Sequence, residues 1–469
     1  MSSCSTVRRT VEEAIQSWQR SDTGVDVRQN LSEASICVGI VDSRWLSPET
    51  STLSLPRFTT DWTDSDESNV RQNTCGCVVL SARRECWPSF LYPKIGGTMT
   101  SLSDILASSA EAGLSLQRSD GSMPAGHNGP YHDPETPVRN TSHWLVTFLK
   151  AHELTDENRF RQAASDAVSY LLSEEARPHG HTFEHRQNDT KDRCNGLMGQ
   201  AWSLEALALA ARALDNERAA AVAADVFLSH PFCDKLKLWQ RVDTDGTILG
   251  FDRTFNHQLW FAASGGLVAH TAPQEVSQRV RDFLDSLPST IDLYENGLIR
   301  HPLRPSMDLS ELAESVTHDV HRSMVRNHLL HYLRPPRSKR RLRIKAEGYH
   351  SFNLYALAIL AREFPSHSIW STDLLSDILE YTLSEEFREA TTDNKFSYPY
   401  NPPGFEVPAA METFSVGSYK EREMWVNEQI QHSFDPNANL LTRGTDDKQT
   451  HAARLYEATR LDDYEIYLD

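Results

Sequence analysis

The chain has 469 residues, of which 39% are hydrophobic and 24% charged, enough apolar material for a large buried core. Its 47 basic and 65 acidic side chains leave a formal net charge of −18, a balance that argues against a general nucleic-acid or anionic-membrane binder. No run of about 18 apolar residues occurs, so no transmembrane segment is expected. The first thirty residues hold no apolar stretch of the secretory kind, and a cytoplasmic location is the expectation.

Residues 1–95 read as an N-terminal extension without assigned chemistry; residues 34–41 and 77–80 could be strands or short buried helices. The seven cysteines are irregularly spaced, and Cys75, Cys77 and Cys86 lack the paired spacing of a zinc site. Reduced thiols, no metal and no cofactor are therefore expected. No Gly-rich loop follows a strand, so no nucleotide is expected either.

From about residue 96 helical patterns dominate, in two kinds. Residues 157–174, 216–229, 273–287, 372–387 and 421–434 are amphipathic, as helices with one wet face are. Residues 140–151, 197–214, 255–269, 351–364, 409–416 and 451–461 are apolar nearly all round, as buried helices are. The kinds alternate at the length of one helical hairpin, which predicts an all-α (α/α)6 toroid over residues 96–469. The long gap at 288–346 requires an insertion, with a two-stranded hairpin around Asn296-Gly297 and a helix near 310–332. If that helix is also an inner one the ring has seven, and an open helical solenoid is the alternative.

The chemically informative residues lie in loops before the inner helices. These loops carry His127; then Asp133, Arg139, Asn140, His143 and Trp144; then Asp192, Asn195, Gln200 and Trp202. The later loops add Asp252, Arg253, His257 and Trp260, then Glu347, Tyr349 and His350, then Tyr398, Tyr400 and Asn401. In a toroid all inner helices run the same way, so these loops meet at one end. Aromatic rings beside Asp, Arg, Asn and His suit a saccharide, and inward helix N-termini favour an anionic one. Each residue also has a plainer role: Asp133, Thr136 or Asn140 as an N-cap, the tryptophans as core, the lone histidines as hydrogen-bonded structure.

Gly199, Gln200, Ala201 and Trp202, preceded by Asp192, resemble the helix start of the unsaturated glucuronyl hydrolases, with Met198 where that family has Arg. The wider loop set, at residues 133–144, 251–260 and 348–355, resembles the glycoside-hydrolase-like toroid proteins of haloarchaeal N-glycosylation clusters, over residues 100–460. The resemblance implies a glycan-processing enzyme acting on a uronate-containing or lipid-linked saccharide. It implies Asp192 as general acid and base, with Asp133 or Asp252 as partner. Arg139, Asn140, His143, Arg253 and His350 are the expected sugar ligands, joined by His127, Asn195, Gln200, His257, Glu347 and Tyr349, with Trp202 or Trp260 as stacking plane. Two other functions fit the same scaffold: a sugar isomerase or epimerase using His127, His143, His257 or His350 as base, and a non-catalytic glycan binder.

The run from Arg334 to Lys345 places seven cations in twelve residues of an acidic protein. It reads as a solvated loop or as a contact for a uronate, a lipid-linked phosphate or an anionic surface.

Overall fold

The structure is a computed structural model and describes residues 98–303 and 334–468. The expected extension at 1–95 and the expected helix near 310–332 lie outside the described residues.

The inner helices are α2 (Val138–Thr155), α4 (Gly196–Ala213), α6 (Phe255–Val268), α9 (His350–Glu363), α12 (Pro403–Thr413) and α14 (Lys448–Ala453), the last tightening into a 3-10 turn at Arg454–Arg460. Each packs on the next: α2 on α4, α4 on α6, α6 on α9, α9 on α12, α12 on the 3-10 turn, and that turn back on α2. The ring therefore closes with six inner helices among the described residues, and the open solenoid is not adopted. The reason is visible in α4, where apolar and small residues bury nearly every position because helices flank it on both sides.

The outer layer consists of α1 (Leu102–Leu114), α3 (Asn158–Leu171), α5 (Glu217–Ser229), α7 (Gln274–Thr290), α10 (Asp373–Thr382), α11 (Glu385–Thr392) and α13 (Tyr419–Ser433). These bury one stripe each: α3 turns Phe160, Ala163, Ala164, Ala167 and Leu171 inward and leaves charged residues outside. The single helix expected over 372–387 is two, because the Ser384 side chain accepts the Phe387 N–H at 3.2 Å and starts a new helix. The fifth inner helix begins at Pro403, earlier than its apolar pattern; a proline at the start loses no helical hydrogen bond.

Three small sheets complete the fold. Strand β1 (Thr98–Ser101) pairs antiparallel with β7 (Glu465–Leu468), joining the two ends of the described toroid. Strands β2 (Phe232–Cys233), β3 (Leu238–Val242) and β4 (Ile248–Phe251) form a meander ahead of α6. Strands β5 (Phe434–Asp435) and β6 (Leu440–Leu441) form a short hairpin. The hairpin expected around Asn296-Gly297 is present as a tight turn closed by one bridge, Leu293 to Ile299. The basic run is not a loop. It is helix α8 (Pro336–Gly348), whose first turn carries Pro336 and whose Arg337, Lys339, Arg340 and Arg341 are exposed.

Among the described residues, no helix is long and apolar enough to cross a membrane. Cys194 and Cys233 are free thiols.

Candidate active site

The loops that precede the inner helices converge on one cavity. Its inner chamber, about 150 Å³, is lined among others by Asn128, Tyr131, Asp133, Trp202, His257 and Tyr349. An outer chamber of about 510 Å³ shares Arg186, Asn195, His257, His301 and Lys345 with it, and adds Asp192, Arg241, Asp252 and Arg253. The outer volume lies in the range of small-ligand sites.

The first turn of α4 organises one wall. Asn195 is its N-cap in a left-handed conformation, with φ of 55°. Two N–H groups of that turn point at carboxylates: Gly196 donates to Asp192 Oδ1 at 2.9 Å and Leu197 donates to Asp252 Oδ2 at 3.2 Å. The helix dipole adds to both interactions. Asp252 Oδ2 also lies 2.7 Å from His257 Nδ1. Burial works against this carboxylate, but the imidazole, the Arg241 guanidinium and the Leu197 N–H outweigh it and hold its pKa down to about 2. With Nδ1 engaged, Nε2 is the His257 nitrogen left to exchange a proton with a ligand.

Gly196 is fixed by this pair. Its φ is +61°, and a Cβ there would lie 2.5 Å from Asp252 Oδ2 and 3.3 Å from His257 Nδ1. Gly196→Ala is expected to cost about 1–3 kcal/mol of stability and to reduce turnover by more than that cost explains, since the pair must move. Thermal melting and turnover measured on one preparation check this; unchanged turnover would detach Gly196 from the site.

The other two carboxylates of the cavity are tied to cations. Asp192 is bonded to Arg186 at 3.0 Å and to Arg241 at 2.9 Å, one guanidinium on each oxygen. Asp133 meets Arg186 at 3.0 Å, Lys191 at 2.9 Å and the Asn188 amide at 2.8 Å. Burial raises the Asp133 pKa, but these partners together bring it below the usual carboxylate range.

The opposite wall is aromatic. The Tyr131 and Tyr349 hydroxyls are 2.8 Å apart, and the Tyr400 hydroxyl donates to Asn128 Oδ1 at 2.8 Å. His301 packs on the Tyr349 ring at 5.0 Å; burial, then Lys345 and His257, keep it neutral, far below the ordinary histidine range. Lys345 reaches in from α8, its Nζ 5.1 Å from the Tyr131 ring centre and 5.6 Å from that of Tyr349. Burial lowers its pKa to about 8, with Arg341 and Lys395 adding to the effect. It is half-buried and makes no ion pair among the described residues. Arg454 closes the floor, held by Glu406 at 2.9 Å and Glu457 at 2.8 Å.

Of the expected site residues, the cavity brings together Asp133, Asp192, Asp252, Asn195, Trp202, Arg253, His257 and Tyr349. The rest lie outside its lining. Arg139 is buried behind the wall, 3.2 Å from Glu135 and over the Trp202 ring at 4.0 Å, where it braces that indole. Asn140 donates to the Pro124 carbonyl, and Gln200 ties Phe183 to Cys194. His143 stacks on Tyr456 at 4.1 Å, and His350 lies between Thr382 and Ile299. Trp260 is packed on Phe352 and Tyr355, donating to the Phe352 carbonyl. Glu347 pairs with Arg343 on α8, and His127 sits at the rim beside Asp447. Pro137 occupies the N-cap position of α2; Asp133 and Asn140 do not cap it, whereas the Thr136 hydroxyl accepts the Val138 N–H of its first turn at 3.3 Å.

Sequence reasoning missed Arg186, Arg241, His301 and Arg454. Lys345 ends the basic run and Tyr131 lies four residues after His127, yet nothing in the sequence alone marks either as a cavity residue.

No protein-family model matches the chain. It is 99% identical over 371 residues to a curated relative, archaeal glycosylation protein Q of Haloferax volcanii, covering 79% of this chain and 100% of the relative. The chain belongs to the archaeal glycosylation protein Q family. Among solved structures, a sugar epimerase from a ruminal bacterium superposes with a TM-score of 0.50 at 10% identity, over 76% of this chain and 98% of that one. Cellobiose 2-epimerase from Bacillus thermoamylovorans gives 0.51 at 10% identity, over 76% and 98%. Cellobiose 2-epimerase from Spirochaeta thermophila gives 0.51 at 13% identity, over 76% and 96%. At such identities the likeness shows the shared (α/α)6 toroid of the glycosylation protein Q family, and nothing of its chemistry.

Proposed function

We propose that this protein processes an acidic saccharide by proton transfer from an imidazole, an isomerase or epimerase chemistry serving glycan assembly. One observation carries the reading: His257 lines the cavity with Nδ1 fixed on Asp252, whereas Asp133 and Asp192 are each bonded to cations. Glycoside hydrolysis calls for a carboxyl group that delivers a proton to the leaving oxygen. A carboxylate between two guanidiniums is poorly placed for that task, and a histidine with an orienting aspartate is well placed to move a proton at a sugar carbon. The proton taken up by His257 returns from the same imidazole, and His301, neutral and lining the same space, can accept a hydrogen bond from a sugar hydroxyl. The relative's name, glycosylation protein Q, supports glycan assembly as the setting.

The charge of the substrate follows from the lining. Seven lining cations, Arg186, Lys191, Arg241, Arg253, Arg334, Lys345 and Arg454, outnumber the three lining carboxylates, and among the described residues Lys345 has no carboxylate partner. A uronate carboxyl supplies the missing partner. The exposed cations of α8, Arg337, Lys339, Arg340 and Arg341, share a helix with Leu342 and Lys345 of the outer chamber and suit the phosphate of a lipid-linked sugar.

The test is incubation with uronate-containing and neutral saccharides in light and heavy water, read by mass spectrometry. Proton transfer predicts altered retention without mass change in light water and deuterium uptake in heavy water. A gain of one water with chain shortening would instead establish a hydrolase and return Asp192 to the centre of the chemistry. Lys345→Met is expected to weaken an anionic saccharide by ~10–100-fold, the loss of one charge-assisted hydrogen bond. Its neutral counterpart should be little affected. Titration of methyl glucuronide against methyl glucoside measures the difference, and an equal change for both would remove the carboxylate from the reading.

A further inference from the structure

A second group of titratable side chains lies outside the cavity lining, and the proposed function makes no use of it. His127, His132 and Asp446 each offer one donor atom, and these atoms all lie within 4.8 Å of one another. His132 Nδ1 is 3.7 Å from Asp446 Oδ2. The two imidazoles are stacked, with centroids 5.2 Å apart. His127 Nδ1 is buried and makes no hydrogen bond.

The fold holds these donors together. Asp447 caps α14 by accepting the Thr450 N–H, and its other oxygen accepts the His127 and Gly129 N–H groups at 3.1 and 2.7 Å. Gly126 lies so close that a Cβ would stand 2.4 Å from Asp447 Oδ1. Asn128 and His132 both take left-handed backbone conformations, φ of 59° and 47°, which curl the loop back so that the two rings stack. An unstrained loop would not need both.

We propose that His127, His132 and Asp446 bind a divalent transition-metal ion of the zinc, cobalt or nickel kind. Imidazole and carboxylate donors suit those ions, whereas calcium or magnesium calls for oxygen donors throughout. Donors bound at ~2.0–2.1 Å to one tetrahedral ion stand about 3.4 Å apart. The His132–Asp446 separation is close to that, and both side chains are exposed enough to swing in. The ion would clip the loop ahead of α2 to the loop ahead of α14, the place where the ring of inner helices closes. The sequence carried no metal signature because the donors come from loops more than 300 residues apart along the chain, not from a local motif.

The test uses the full chain, stripped with chelator and titrated calorimetrically with Zn2+ and spectroscopically with Co2+. One equivalent should bind, with the visible absorption of low-coordinate cobalt, and Zn2+ should raise the melting temperature. His132→Ala and Asp446→Asn, both at exposed positions, should keep the fold and abolish the stoichiometric binding and the thermal shift. Absence of saturable binding near one equivalent overturns the proposal, as does either variant binding as tightly as the parent. None of these readouts depends on the saccharide reaction, so the two readings fail separately.

Discussion

Asp252→Asn is expected to lower turnover by ~10²–10⁴-fold, the usual contribution of a positioned general base. The amide keeps the shape of the side chain but removes the charge that faces His257 Nδ1 at 2.7 Å. His257→Gln should fall by a similar factor, and the double variant by little more, because the two act as one unit. Asp192→Asn should behave differently. It releases Arg186 and Arg241 from their shared carboxylate, so it should raise KM more than it lowers kcat. Deuterium uptake from heavy water into a turned-over saccharide gives kcat and KM for all four variants. Full turnover in Asp252→Asn with loss in Asp192→Asn would transfer the proton chemistry to Asp192.

The second large effect is on stability below neutral pH. His143, His185, His230, His301, His350 and His451 are all buried. Burial, in each case the foremost cause, pushes their pKa values down: to about 3 for His185, His350 and His451, to about 4 for His230, and well below the ordinary value for His143 and His301. In the unfolded chain each returns to ~6.5. Above that pH neither state holds the protons, and nothing is lost. Below it the unfolded chain takes up protons that the folded one refuses, so stability falls as pH falls toward the folded values. Each histidine contributes about 1.4 kcal/mol per pH unit once the unfolded form is protonated, and six act together. Because a typical domain is stable by only ~5–15 kcal/mol, cooperative unfolding is expected within about two units below pH 6.5. Circular dichroism at stepped pH reads the midpoint. His230→Phe, beside Phe261 and away from the cavity, should flatten the acid limb; unchanged steepness would exclude His230 from it.

The ring itself was legible in the sequence because burial on all sides leaves a mark that no loop hides. Leu197 to Leu214 is apolar on every face, whereas residues 157–174 keep a charged side. The end of the ring that carries the site was legible for the same reason, since polar and aromatic residues recur where each inner helix begins. Which of those residues face the cavity was not. An inner helix has neighbours on both sides and an outer helix behind it, so only the part of its first turn nearest the axis can meet a ligand. His143 and Trp260 stand one turn deeper and meet Tyr456 and Phe352 instead. Arg241 and Lys345 reach the cavity from β3 and α8, elements inserted between the helical hairpins. No periodicity of the hairpins announces them.

The antiparallel pairing of Thr98–Ser101 with Glu465–Leu468 has a consequence for how the chain is made. A ribosome releases Val138–Thr155 long before it releases the 3-10 turn at Arg454–Arg460 on which that helix packs. Until then one flank of the earliest inner helix has no partner, and its apolar surface faces water. Contacts of such sequence separation are slow to form, so the emergence of Arg454–Arg460 governs when the toroid becomes cooperative. Nascent chains arrested before residue 448 should be sensitive to protease along their full helical length, and release of residues 448–468 should confer resistance in a single step.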